Sequence, residues 1–186
     1  MNRLSRESTV LLLVDVQERL VAAMPAEAAS RLAKNARLLV EAAAVVGVPI
    51  LASEQYPKGL GPTIEPLGAR LRELGVQPFD KLDFDASSEP RLSRALALSQ
   101  ARNVVVLGME THVCVFQTAR ELVRRGYGTH VVADACASRT EENRAIGLRL
   151  CERAGAFVTS AETVAFDWVE RAGTDAFRAV SRLVRE

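Results

Sequence analysis

Residues Val104–Gln117, VVVLGMETHVCVFQ, hold the transition on which the reading of this chain turns. A continuous apolar run stops at Gly108, and Cys114 follows six residues later, where helical spacing begins. A run that is apolar at every position reads as a strand buried on both faces, and the helix after it makes a strand–turn–helix unit. A thiol placed there sits at a helix N-terminus. Unpaired backbone N–H groups and the positive end of the helix dipole favour thiolate, the nucleophilic form. Against this stands the ordinary role of free cysteine as a small buried hydrophobe. Cys136, after HVVAD, and Cys151, inside ENRAIGLRLCERAG, fit that role and lack the setting of Cys114.

Outward from this unit, apolar strand-like runs recur at Thr9–Val14, Pro49–Ser53, Thr129–Ala133 and Ala156–Thr159, with a weaker one at Val76–Phe79. Helical patterns lie between them. Leu32, Ala36, Leu39, Ala43 and Val46 share one face, and Gly47 supplies the stop. Gly126 ends the helix after Cys114 in the same way, and Ser138 with Glu141 forms a capping box for a helix that Gly155 closes. Such alternation predicts a three-layer α/β fold, with a parallel sheet covered on both faces. No repeat or long linker interrupts it, so residues 1–186 read as one domain ending in a helix over 174–185.

Composition narrows the class. The 186 residues are 48% hydrophobic and 25% charged, with 24 basic residues offset by 23 acidic ones, so nothing asks for nucleic acid or a membrane surface. Three cysteines without CxxC spacing argue against a disulfide framework and for a reducing compartment. The opening, MNRLSRESTVLLLVDVQ, has a short apolar run that reads as a first strand rather than a leader, which points to a cytoplasmic protein.

Open parallel sheets place ligands beyond the carboxyl ends of their strands. Three reactive side chains fall there: Asp15 at the end of LLLVDVQ, Lys81 in PFDKLDFDA, and Cys114. A carboxylate can take a proton and an ammonium can stabilise an anion, so the three make a nucleophile constellation. Each has an ordinary alternative. Asp15 with Glu18 could cap a helix, Lys81 could be one more surface lysine, and Asp134 reads as a turn residue leading into the Ser138 cap. His130 opens a strand at the opposite rim, and His112 is placed to line a pocket. The aperiodic loop SEQYPKGLGPTIEP, residues 53–66, suits either an active-site wall or a plain surface loop.

LLLVDVQ, the lysine near FDA, GMETHVCVFQTA and VVADACASR, in that order, resemble the isochorismatase-like cysteine hydrolases over nearly the whole chain, and SEQYPKGLGPT is similar to the subgroup of isochorismatase-domain-containing proteins. The resemblance implies a six-stranded parallel sheet of Rossmann-like topology and a catalytic trio of Asp15, Lys81 and Cys114. It also implies a non-proline cis peptide at Met109–Glu110, with an oxyanion hole from the backbone N–H groups of Glu110 and Cys114. The implied chemistry is cleavage of a C–N bond in a small amide or ureido compound through a thioester, with no metal and no cofactor. Nicotinamidases of the family bind a metal beside the pocket, but LASEQYPKGLG has no histidine to do so.

Gln55, Tyr56, Phe84 and His112 are the expected substrate wall, a mixed lining better matched to a neutral small molecule than to a dianion. Two rival classes stand beside this reading: hydrolysis of a vinyl ether, and a non-catalytic binding or assembly module. The resemblance also implies a homo-oligomer. FDWVERAG could supply an interface, or Trp168 could pack inside its own subunit.

Overall fold

The computed structural model describes residues 4–185. Six strands, β1 (Thr9–Val14), β2 (Ile50–Gln55), β3 (Phe79–Lys81), β4 (Asn103–Met109), β5 (Gly128–Ala137) and β6 (Phe157–Thr159), form one sheet in the order β3-β2-β1-β4-β5-β6. Every pairing is parallel. The order reverses between β1 and β4, so the carboxyl ends of those two strands flank the crevice where such sheets bind ligands.

Burial on both faces explains why β1 and β4 are apolar without alternation. Leu11 and Leu13 enter a core with α2 (Ala26–Val46), α4 (Leu67–Glu73), α8 (Ala161–Val169) and α9 (Asp175–Arg185). Val10, Leu12 and Val14 enter the opposite core with α5 (Pro90–Leu98), α6 (Phe116–Arg124) and α7 (Glu141–Arg153). Gly47 closes α2 at φ +78, the left-handed conformation for which glycine carries no steric penalty.

Gly108 is demanded by contact rather than by a turn. It pairs with Val14, and a Cβ added there would lie 1.9 Å from the Val14 carbonyl oxygen. The expected short strands and helix ends shift where local hydrogen bonding overrides pattern. The third strand begins at Phe79 rather than Val76, because the Val76 N–H is used by Leu71 at the end of α4. β5 runs past Ala133 to Ala137 through an irregularity opposite Val106–Gly108.

Asp134 is therefore a strand residue, not a turn; its Oδ1 accepts the Ala161 N–H at 2.8 Å and holds the start of α8. Ser138 is not the cap of α7. Thr140 takes that place, accepting the Asn143 N–H at 3.2 Å, while Ser138 Oγ lies 3.0 Å from His112 Nδ1.

Candidate active site

Asp15 is the first residue beyond β1 and adopts a left-handed conformation, φ +55. It does not cap the short helix α1 (Glu18–Ala22), whose N-cap is Gln17. Its carboxylate turns into the protein and is fully buried. Ser53 Oγ donates to Oδ1 at 2.7 Å, and Lys81 Nζ lies 2.7 Å from Oδ2. Lys81, at the end of β3, is the partner of Gln55 in the sheet register, which brings its side chain toward β1 beneath the end of β2. Its Nζ also donates to Gln55 Oε1 at 2.6 Å and to the carbonyls of Asp83 and Phe84, both at 3.2 Å. The surface-lysine reading is thereby corrected: the Lys81 side chain is 1% exposed.

Cys114 occupies a π-helical turn, Thr111–Val115, that joins β4 to α6. Wide turns of this kind are rare and recur at functional sites. The peptide between Met109 and Glu110 is cis. The Glu110 carbonyl accepts the N–H groups of Val113 and Val115, at 3.0 and 3.2 Å. α7 comes very close behind this turn: a Cβ on Gly147 would sit 2.7 Å from the His112 nitrogen.

The thiol interacts with both members of the Asp15–Lys81 pair. Burial pushes it up to about 12; the negative charge of Asp15 adds to the rise, and the Lys81 ammonium opposes it. With Cys114 only 5% exposed, loss of hydration works against the ready thiolate that a helix terminus favours. Cys136 and Cys151 are likewise pushed up to about 12, chiefly by burial; around Cys136, Arg144 and Asp134 act with opposed effects.

The expected substrate wall divides. Tyr56, half-exposed, borders a cleft of about 560 Å³ beside Lys81, between Pro57–Lys58 and Leu82–Pro90. The loop after β2, with the short helix α3 (Pro57–Leu60), thus forms one wall of this cleft. Gln55 is not available to a substrate in the way expected: its Oε1 holds Lys81 and its Nε2 donates to the Leu82 carbonyl at 2.7 Å. Phe84 is 51% exposed, and it is its main-chain carbonyl that reaches Lys81. His112 is turned to Ser138. The Glu110 carboxylate is buried against Arg139, accepting from the backbone N–H at 3.0 Å and from Nε at 3.1 Å.

Sequence reasoning passed over two residues that the structure ties to the trio, Ser53 and Gln17. Gln17 Oε1 accepts the Gln55 N–H at 2.8 Å, and its Nε2 donates to the carbonyls of Gln55 and Gly61 at 3.0 and 2.7 Å. Its position two residues after Asp15 was the available signal, since an amide beside a strand end often serves backbone left unpaired there. Among the described residues, no group of three or more histidine, cysteine, aspartate or glutamate side chains could hold a metal ion.

Residues 9–163 match the family model described as Isochorismatase domain. Isochorismatase domain-containing protein 2A of Mus musculus is 37% identical, covering 100% of this chain and 87% of that protein. A solved structure titled MAR1 ribonuclease, from Caenorhabditis elegans, superposes with a TM-score of 0.91 at 32% identity, covering 100% of this chain and 93% of that one. An Escherichia coli structure described as an octameric hydrolase of unknown specificity gives 0.89 at 21% identity, with 98% and 89% covered. A nicotinamidase from Staphylococcus aureus gives 0.72 at 19% identity, with 81% and 98% covered.

Proposed function

The chain belongs to the isochorismatase domain family, and from that premise we propose that it is a cysteine hydrolase cleaving a C–N bond of a small amide or ureido compound. The observation that carries this reading is a buried ion pair, Asp15 with Lys81 at 2.7 Å, within electrostatic reach of one buried thiol at the sheet's switch point.

A thiol pushed up to about 12 is a poor nucleophile until a base takes its proton, and the Asp15 carboxylate, whose charge acts on the thiol, is the base we assign. In the proposed sequence Asp15 accepts the Cys114 proton as sulfur attacks the carbonyl carbon. Lys81 balances the negative charge, and the main-chain N–H groups of Glu110 and Cys114 receive the oxyanion. Asp15 then returns the proton to the leaving nitrogen as the C–N bond breaks, leaving a thioester on Cys114. Water, deprotonated by the same carboxylate, attacks the thioester and releases the acid or carbamate with the thiol restored.

The nicotinamidase neighbour cleaves an amide, as its name says, and supports the bond type. A ribonuclease activity, the name of the Caenorhabditis elegans protein, fits the chemistry here less well. Asp15, Lys81 and Cys114 are at most 5% exposed, an enclosure suited to a small acyl group rather than a polynucleotide backbone.

The test is a panel of small amides, ureides, a vinyl ether diacid and single-stranded RNA, assayed with wild type and Cys114→Ala. Ammonia or amine release from an amide or ureide, reduced about a thousandfold or more by the substitution, is the expected result. Activity confined to the vinyl ether or to RNA, or undiminished in Cys114→Ala, overturns the proposal.

A further inference from the structure

The Lys81 ammonium has three N–H bonds, and three protein acceptors take hydrogen bonds from it, Gln55 Oε1 and the Asp83 and Phe84 carbonyls, while Asp15 Oδ2 is its ion-pair partner at 2.7 Å. Gln55 is the neutral, buried side chain in this set. Its orientation is fixed by the second bond of its amide, since the Leu82 carbonyl accepts from Nε2 and leaves Oε1 to face the ammonium. Its main chain is fixed on both sides by one other side chain, Gln17, whose amide bonds both the N–H and the carbonyl of Gln55. The same Gln17 amide ties down Gly61, and with it the turn that follows Tyr56.

We propose that Gln55 is a positioning residue for Lys81, locked in place by Gln17, and that this line of two amides sets how strongly the ammonium acts on the Cys114 sulfur. The inference rests on the reading of Cys114 as the nucleophile and deepens it. A merely structural glutamine would need only some partner in the core. This one places a neutral oxygen 2.6 Å from the same ammonium that pairs with Asp15, and so helps to hold Lys81 in its place between β1 and β3. Gln17 extends the control to the wall loop, so that the cleft beside Tyr56 and the charge on Lys81 are held by one side chain. The DVQ segment then supplies two things: Asp15 as the charged partner of Lys81, and Gln17 as the clamp on the neutral one.

The experiment is the rate of iodoacetamide alkylation at Cys114, with Cys136 and Cys151 as internal reporters of loosening, read by peptide mass mapping at neutral pH. It compares wild type, Gln55→Met, Lys81→Met and the double variant. Gln55→Met is expected to slow Cys114 about tenfold, one pKa unit of lost thiolate stabilisation, to leave the other two thiols unchanged, and to add nothing in the Lys81→Met background. Gln17→Met, which leaves Gln55 and Lys81 intact, should slow Cys114 by a smaller factor and add nothing to Gln55→Met. Equal slowing by Gln55→Met in both backgrounds, no slowing at all, or faster labelling of all three cysteines overturns the proposal. If Lys81→Met itself leaves Cys114 unchanged, the nucleophile reading fails; if Lys81→Met slows Cys114 and Gln55→Met does not, only the positioning role fails.

Discussion

At the scale of single residues, the charge arrangement around Cys114 predicts opposite responses to removal of its two partners. Asp15 raises the thiol and Lys81 lowers it, so Asp15→Asn should speed alkylation of Cys114 near neutral pH, whereas Lys81→Met should slow it. Turnover should fall in both, because in the proposed mechanism Asp15 carries the proton and Lys81 balances the negative charge. Parallel effects on alkylation would show that the sulfur does not sense the pair. The pair is buried, with side chains 1% and 0% exposed, so removing one partner leaves an uncompensated charge. Chemical denaturation should find each single variant less stable by about 3–5 kcal/mol, with the double variant losing less than the sum of the two. That Asp15, Lys81 and Cys114 follow strand ends at one rim of the sheet was legible from residue type and position. The state of the thiol was not, because burial depends on how α6 and α7 close over the turn, which local sequence does not record.

At the scale of elements, the turn carrying Cys114 depends on backbone contact with α7. Gly147→Ala would drive a Cβ to 2.7 Å from the His112 nitrogen and the Thr111 carbonyl carbon, so α7 and the turn must separate. Overpacking of this kind costs about 1–3 kcal/mol, visible as a lower denaturant midpoint, and turnover should fall more steeply than stability because the turn holds the nucleophile. His130, in β5, stacks on Phe157 of β6 with ring centroids 5.0 Å apart, and burial lowers its pKa from 6.5. With the folded value depressed, the unfolded chain binds the extra proton first, so stability is full above about 6.5 and is lost as pH falls from there through the folded value. Thermal melts at pH 5 and pH 8 should differ in wild type, and differ less in His130→Phe. The main strands and most helix ends could be read from apolar runs and glycine stops. The long β5 and the Thr140 cap could not, since Asp134 and Ser138 form their bonds with Ala161 and His112, partners remote in sequence.

At the scale of the whole molecule, the sheet order puts β1 and β4 side by side and β3 at an edge, and the Lys81 side chain crosses beneath β2 to complete the site. The bond of Gln55 to Lys81 could not be read from sequence for the same reason: its partner arrives from another strand. The single tryptophan, Trp168, is fully buried in a core shared with α2 and α9, which removes it as an assembly contact. Its fluorescence should therefore report the same unfolding transition as far-UV circular dichroism. The homo-oligomer that the family resemblance implies predicts a sedimentation mass above the 20.2 kDa of one chain; a single 20.2 kDa species at micromolar concentration contradicts it. No helix among the described residues is long and apolar enough to cross a membrane. The most direct test of the central claim is an acid-quenched mass measurement of the intact protein during turnover of a small amide or ureide. The account predicts an added mass equal to the acyl part of the substrate, mapping to Cys114 and missing in Cys114→Ala. An adduct on another residue, or undiminished turnover by Cys114→Ala, contradicts it.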